Sequence, residues 1–569
     1  MQAGGSFFVL RKARYKSVLA IVQERAPVYG TNQVERTAPQ YAWHGTRLTC
    51  RRTLRGRKSG PAGEPITGET TSMKAVASSC LRYPAFVRFA ARFALLAITV
   101  AMAAGFLVTR GQSPDPPSIK VINLIPASLS GESNQDSEPF LAIQNANPQV
   151  MVASAFTPNP FSMTGNAPVY VSQDGGKTWA LNAITPVQRM TCDITHAMAT
   201  GENHPRGDLH AGTLACASGI ILNESESNDV SSSATMNVQS TRGNVDQPFV
   251  RALGVTSGDR IYVGVNDFNQ ANGRTATVDV SLDGGTTYKS IPIETRKTAG
   301  QDGPSVRPAV ANDGTVYAAF FGWRRFDGKT ATSDIVVVRD DAAATGPNPF
   351  QMLKDPSDQS PGVLVVKRVP IPWSNAPALG QERIGSTLSI AVDPNNSSTV
   401  YVGWADKGSK KDIYTLHVRR STDRGATWSK TDLPRTTIHN ATNVALAVAN
   451  NGVVGFLYQQ LSGGRWVTHL TQSHDAFTTS QDVVLATVPA NEPAGQFLPY
   501  LGDYDYLLSV GNEFRGVFCA NNTPAFANFP HGVTFQRAAD FNAKTLNDGS
   551  GNPVPISIDP FYFSVPVIP

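Results

Sequence analysis

Residues 169–182 read VYVSQDGGKTWALN. Val169 and Val171 alternate as a half-buried strand does. Asp174-Gly175-Gly176 then supplies the positive-φ residues of a tight hairpin, and Thr178-Trp179 restarts the strand. The pattern returns as VDVSLDGGTTYKS at 278–290 and VRRSTDRGATWSK at 418–430. The unit is Ser-x-Asp-x-Gly-x-Thr-Trp/Tyr, and its chemistry is local. The aspartates (Asp174, Asp283, Asp423) cap backbone N–H groups of the turn, glycine takes a conformation other residues resist, and the aromatic tucks under the hairpin. These are structural residues.

A second signal sets the period. An alanine flanked by apolar residues recurs at Ala142, Ala197, Ala252, Ala309, Ala391 and Ala447, and Leu508 takes the equivalent place. The spacings are 55, 55, 57, 82, 56 and 61 residues. In repeats one, three, four and five the Ser position of the box (Ser172, Ser281, Arg339, Ser421) follows its alanine by 30, 29, 30 and 30 residues. Arg339-x-Asp341-x-Ala343-x-Thr345 and Ser473-x-Asp475-x-Phe477-x-Thr479 read as decayed boxes. Repeats of this length with four short strands predict an all-β propeller of four-stranded blades. Seven blades are counted, with six the alternative if the boxless second repeat is an insertion. The long gap holds a Pro-rich insertion near 346–380, read as a loop, and the last blade needs a closing strand from 118–126 or 553–565.

Composition agrees. Of 569 residues, 48 are glycine and 39 proline, 41% are hydrophobic and 16% charged, which suits a turn-rich β body. The net charge of +5 lies largely before residue 111, densest in RRTLRGRKSG at 51–60, so the body carries no basic groove for nucleic acid. Residues 93–108, FALLAITVAMAAGFLV, follow Arg82, Arg88 and Arg92 and have the layout of a secretory signal or a short membrane anchor. Residues 1–72 are read as a disordered or mis-assigned extension and 73–110 as the signal or anchor. The body, 111–569, is then expected in an oxidising extracellular or periplasmic space, touching a membrane only through its N-terminal segment. There Cys192 and Cys216 are spaced to pair across adjacent strands, leaving Cys519 over. No Cys/His spacing suits zinc.

The boxes of repeats one, three and five resemble the Asp box of the bacterial neuraminidase repeat (BNR), found in sialidases and in other propellers. FLPYLGDYDYLLSV at 497–510 and DQPFVRA at 246–252 are similar to segments of secreted proteins labelled sialidase-like. The resemblance spans about 136–545 and implies the propeller. A sialidase would further use three arginines on the substrate carboxylate, a tyrosine nucleophile with a glutamate helper, and an aspartate acid/base. The place of its first arginine reads NQDSEPFLAI here, without an arginine.

Arg251, Arg307 and Arg383 stand at or just before first strands, where three guanidiniums could hold a carboxylate bidentately or bridge blades. Asp136, Glu138, Asp193, Asp246, Asp302, Glu382 and Asp503 place an acid before the first strand in six of the seven repeats. Such acids could cap turns, bind Ca²⁺ through oxygen ligands, or form a hydrolytic pair. Asp503 with Tyr504 is the best local candidate for a nucleophile beside an acid, with Asp193 and Glu382 as further catalytic candidates. His196, His210 and the Arg-Gly-Asp of 206–208 carry no role on spacing alone. Two functions follow as expectations: a sialidase-like glycoside hydrolase acting on extracellular glycans at the channel mouth without a required cofactor, or a non-catalytic propeller binding glycan, protein or a metal ion.

Overall fold

A computed structural model of the chain describes residues 118–156, 167–186, 191–199, 208–215, 220–231, 234–255, 258–303, 306–372, 387–407, 414–433, 437–494 and 500–569. Residues 1–117, with the basic run and the apolar segment 93–108, lie outside them, as do Cys216, Glu382 and Arg383.

Seven four-stranded antiparallel sheets form the blades of a propeller. Their inner strands are Ser137–Ile143, Thr191–Met198, Val245–Val255, Val306–Val310, Leu388–Asp393, Ala441–Val448 and Tyr506–Val510. Every counted Ala step, and Leu508, falls on one of them. The boxless second repeat is a full blade, Thr191–Gly243, whose strands follow chain order. Each inner strand packs on the next, and the seventh returns to the first. Side chains tie the blades together. Ser154 Oγ donates to the Ile194 carbonyl at 2.7 Å and Thr195 Oγ1 to the Pro248 carbonyl at 3.0 Å. Tyr317 Oη reaches the Ser397 carbonyl at 2.6 Å.

The Asp boxes build the hairpins between the third and fourth strands. Asp174 Oδ1 accepts the amides of Lys177 and Thr178 at 3.0 Å, and its Oδ2 accepts the Thr178 hydroxyl at 2.7 Å. Ser172 Oγ takes the Gly176 amide at 2.9 Å, and Trp179 Nε1 donates back to the Gly176 carbonyl at 3.2 Å. Asp283 and Asp423 repeat this, with Thr287 and Thr427 amides at 2.9 and 2.8 Å. The Ser473 copy keeps the geometry, Asp475 accepting the Thr479 amide at 2.8 Å, although Phe477 occupies the glycine position at φ 63°. The Arg339 copy differs. Asp341 pairs with Arg339 and Arg424, and Asp340 caps the turn instead, accepting the Ala342 and Ala344 amides at 2.8 Å. Asp340 pairs with Val316 as Ser421 pairs with Val400 and Ser473 with Val454, so it stands in the serine position and the copy lies one residue along from where the sequence pattern put it.

Both segments considered for the closing strand are used. Ile558–Pro566 is the third strand of blade 7, and Lys120–Asn123 is its outer strand. The Pro-rich stretch is also not all loop. Val363–Pro372 is the outer strand of blade 4, because proline is tolerated at a sheet edge that needs no further N–H.

Ring closure rests on one buried charge cluster. Asp559 of the third strand is fully buried and accepts Asn123 Nδ2 at 2.8 Å, Asn522 Nδ2 at 3.0 Å and Ser557 Oγ at 2.7 Å. Arg537, 3% exposed, pairs with it and donates through Nη1 to the Glu132 carbonyl at 2.9 Å. Asp559→Ala removes the carboxylate paired with Arg537 and should cost about 3–5 kcal/mol of stability, read as a lower urea midpoint.

Blade 5 holds a second network. His417 stacks on Trp404 at 4.9 Å, with Nε2 3.1 Å from Asp406 and Nδ1 2.9 Å from Asp432. Burial alone would lower its pKa, but the two carboxylates outweigh it and raise the imidazole to about 9. A raised histidine stabilises fully below its unfolded pKa near 6.5, and the contribution disappears as pH rises through 9. Urea unfolding of wild type should therefore weaken from pH 6.5 to 9.5 relative to His417→Gln.

Candidate functional site

Four inner strands begin with a β-bulge, between Ser137 and Phe140, Thr191 and Ile194, Asp246 and Phe249, and Thr442 and Ala445. In blades 1 and 3 the bulge is written as Glu138-Pro139 and Gln247-Pro248. Proline cannot donate to the ladder, and it bars the residue before it from the right-handed helical region. Glu138 and Gln247 stand at φ 55°, and Asn443 of blade 6, which no proline follows, at φ 56°, so the left-handed residue belongs to the bulge itself. Such backbone costs on the order of 1–3 kcal/mol per residue and re-aims the side chain toward the channel mouth.

Blade 7 meets these bulges with Tyr500-Leu501-Gly502-Asp503-Tyr504. Gly502 has φ 117°, and a Cβ there would lie 2.4 Å from the Glu138 nitrogen. Glycine is required for the blades to approach this closely. Tyr500 Oη then lies 2.8 Å from Glu138 Oε1 and 2.5 Å from Asp503 Oδ1. Gln247 Nε2 donates to the other oxygen of Asp503 at 3.3 Å. A phenol has one proton to give. Tyr500 can therefore donate to only one of the two carboxyls at a time. Two carboxyls reached from one oxygen atom lie no further apart than the ~5–5.5 Å of a retaining glycosidase pair.

Tyr504 points the other way, donating to Asp193 Oδ1 at 2.9 Å, both residues being buried. Burial and then the like charge of Asp503 raise the Asp193 pKa. Burial, followed by Asp193 and Glu138, pushes the Tyr504 phenol well above its ordinary value. Tyr504 is thus held as a protonated donor, not poised as a phenolate.

Arg307 and Arg251 lie below. Arg307 sits over the Phe249 ring at 4.3 Å and the Tyr504 ring at 5.3 Å, and its Nε donates to the Leu388 carbonyl at 3.2 Å. Arg251 sits 4.8 Å from the Tyr506 ring and 5.2 Å from that of Phe249. Burial lowers Arg307 to about 10 despite Tyr504, Asp193, Asp503 and Glu138; burial and Arg307 itself lower Arg251 to about 9. Two buried guanidiniums thus stand side by side, with Asp193, Asp503 and Glu138 all acting on Arg307. Both line a narrow axial cavity with Tyr504, Asp505 and Leu446, which leaves about 10 Å³ for water. That is room for one water, not a sugar ring.

The acids expected as one ring separate into groups. Glu138, Asp193 and Asp503 share the mouth. Asp246 Oδ1 accepts the Gln247 amide at 2.9 Å. Asp302 accepts the Trp323 amide at 3.2 Å in blade 4, where burial and Glu294 push its pKa well up. Asp136 lies with the closure cluster, where it raises the Tyr170 phenol. Glu382 and Arg383 are outside the described residues. Cys192 is disulfide-bonded and Cys519 is a buried cysteine outside any disulfide; Cys216 is outside the described residues. Among the described residues no three His, Cys, Asp or Glu side chains gather as a metal-ligand group. Sequence reasoning missed Tyr500 and Gln247. Both stood in quoted segments, but no spacing rule joins a phenol to an acid 362 residues earlier.

A family model described as BNR/Asp-box repeat matches residues 170–181, the first hairpin. No curated protein matches the chain. Solved structures share the fold at low identity. A polysaccharide lyase of family PL25, an ulvan lyase bound to -[GlcA(1-4)Rha3S]-, is 11% identical over 68% of this chain and 92% of its own, with a TM-score of 0.44. An α-L-arabinanase of Penicillium chrysogenum is 14% identical over 78% and 98%, TM-score 0.35. A protein of unknown function from Dyadobacter fermentans is 10% identical over 79% and 100%, TM-score 0.38. The likeness is one of fold alone.

The demand on Gly502 is directly testable. Gly502→Ala puts a methyl against the Glu138 backbone and should destabilise the protein by at least about 2 kcal/mol, in chemical denaturation, whereas Gly511→Ala, with nothing within 4 Å of the added carbon, should cost less.

Proposed function

We propose that the protein is an extracytoplasmic, sialidase-like propeller hydrolase acting on glycans that carry an anionic group. The observation that carries this reading is Tyr500 bridging Glu138 and Asp503 above a pair of arginines. In this reading Glu138 is the general acid and gives a proton to the leaving glycosidic oxygen as Asp503 attacks the anomeric carbon. Water then cleaves the glycosyl ester, with Glu138 taking the proton back. Tyr500 and Gln247 hold Asp503 in place, and Tyr504 with Asp193 supports Arg307 from behind. Arg251 and Arg307 supply the positive charge that an acidic sugar needs. The disulfide at Cys192 and the apolar run 93–108 support a location outside the cytoplasm.

The tightness of the axial cavity favours a second reading, glycan binding without turnover, and one experiment separates the two. The full chain is assayed against aryl glycosides, including a sialoside and a uronide, and against the same sugars by calorimetry. Hydrolysis that falls at least about 10³-fold in Glu138→Gln and in Asp503→Asn, with folding intact, is the expected result. Binding with no turnover of any substrate would transfer the site to the second reading.

A further inference from the structure

Residues 522–557 join the second strand of blade 7, Glu513–Asn521, to its third, Ile558–Pro566. Both junctions lie on the mouth face. Asn521 pairs with Ile558, and Tyr506, two residues past Tyr504, pairs with Val517, so Asn521 stands at the end of the sheet from which Tyr504 emerges. The segment turns there through the short 3₁₀ helix Phe526–Asn528, which packs on the outer strand of blade 6, Gln481–Pro489. Asn528 Oδ1 accepts Arg465 Nη2 at 2.8 Å, and Arg465 opens the third strand of blade 6 at its own mouth end. Phe526 therefore stands on the rim of the mouth face, between blades 6 and 7.

Phe526 is 68% exposed, more than any other large apolar side chain among the described residues. Its ring is nevertheless fixed. It lies nearly parallel to that of Phe541, the centroids 4.5 Å apart and the planes at 17°. Phe541 meets Phe535 at 6.1 Å, Phe535 meets Phe561 at 6.1 Å, and Phe561 is fully buried. A ladder of rings thus runs from the blade core to the rim and holds one aromatic face out to water. The exposed residues flanking the two outer rings in sequence, Ala527, Asp540, Asn542 and Ala543, are small or polar. Two rings in such surroundings fall short of the roughly 800 Å² per partner that a stable protein interface buries. They match the flat face of a sugar. Its C–H bonds are drawn to the negative face of an aromatic ring, and its hydroxyls turn outward to polar side chains. Phe535 carries the surface further, as one wall of an open groove of about 530 Å³ where Ser128, Lys177 and Thr178 are exposed. Small-ligand sites span roughly 300–1,000 Å³.

We propose that Phe526, Phe541 and the groove walled by Phe535 form an accessory site for a glycan chain, engaging sugar units beyond the one held at the mouth. The choice of a glycan rests on the reading of the mouth given above, and it makes the substrate a polymer rather than a single terminal sugar. The full chain is run in native gels cast with hyaluronan, polygalacturonate or polysialic acid, its mobility taken relative to a non-binding protein. Retardation by at least one of these polymers is expected. Phe526→Ala, a change at an exposed ring that leaves the fold intact, should weaken it about five- to tenfold in apparent Kd, and Phe526→Trp should keep it. Turnover of small aryl glycosides should be the same in all three proteins. No retardation by any of the polymers, or equal retardation of wild type and Phe526→Ala, would overturn the site. Self-association in sedimentation that Phe526→Ala abolishes would overturn it too, by giving the rings to a second copy of the chain. Retardation that depends on Phe526 without turnover of any glycoside would uphold the site and remove the hydrolase reading; turnover without retardation would do the reverse.

Discussion

The propeller depends on the bond network around Asp559. Six blades fold from contiguous sequence, each a meander whose hydrogen bonds span a few tens of residues. Blade 7 alone joins distant parts of the chain, Lys120↔Ser564 to Asn123↔Phe561. A sheet ring left open would expose two apolar blade faces. The closing strand is only four residues long, so the buried pair Arg537–Asp559, with Asn123 brought in, supplies what so short a ladder lacks. Such a pair is held in place by the hydrogen bonds around it rather than by its Coulomb energy alone.

How much of this was legible follows from the range of the interactions. The hairpins and inner strands could be read because an Asp box is complete within eight residues and the alanine step repeats with the blade. Even the decayed copies were found, although the one in blade 4 was read one residue out of register, since Asp340 and Asp341 both satisfy a local pattern. The candidate site was half legible. The acids at blade starts were counted, but whether each turns toward the axis depends on a bulge and on the neighbouring blade. Glu138 and Gln247 turn in at left-handed bulge positions; Asp136 and Asp302 are drawn into other clusters. Tyr500 and Arg537 left no periodic trace, because their partners come from far along the chain.

The mouth and the closure cluster share an electrostatic style. In both, acids and arginines are packed together under poor solvation. At the mouth the Tyr500 hydroxyl lies between two acids; at the closure Arg537 pairs with Asp559. The mouth also sits beside backbone that a single added carbon would disturb, Gly502 against Glu138. The Asp boxes, by contrast, lie at the opposite ends of the blades and satisfy their charges through exposed turns, so they support the scaffold without touching this balance.

The place of Lys120–Asn123 also sets an order of assembly. Its partner Ile558–Pro566 is made some 430 residues later, which at ribosomal speed is roughly 20–90 s. Through that interval the earliest strand of the body has nothing to pair with, and blade 1 presents an unprotected flank. A nascent chain of this kind is most exposed to mispairing just before its last blade emerges, so helper proteins would matter late in synthesis, not early.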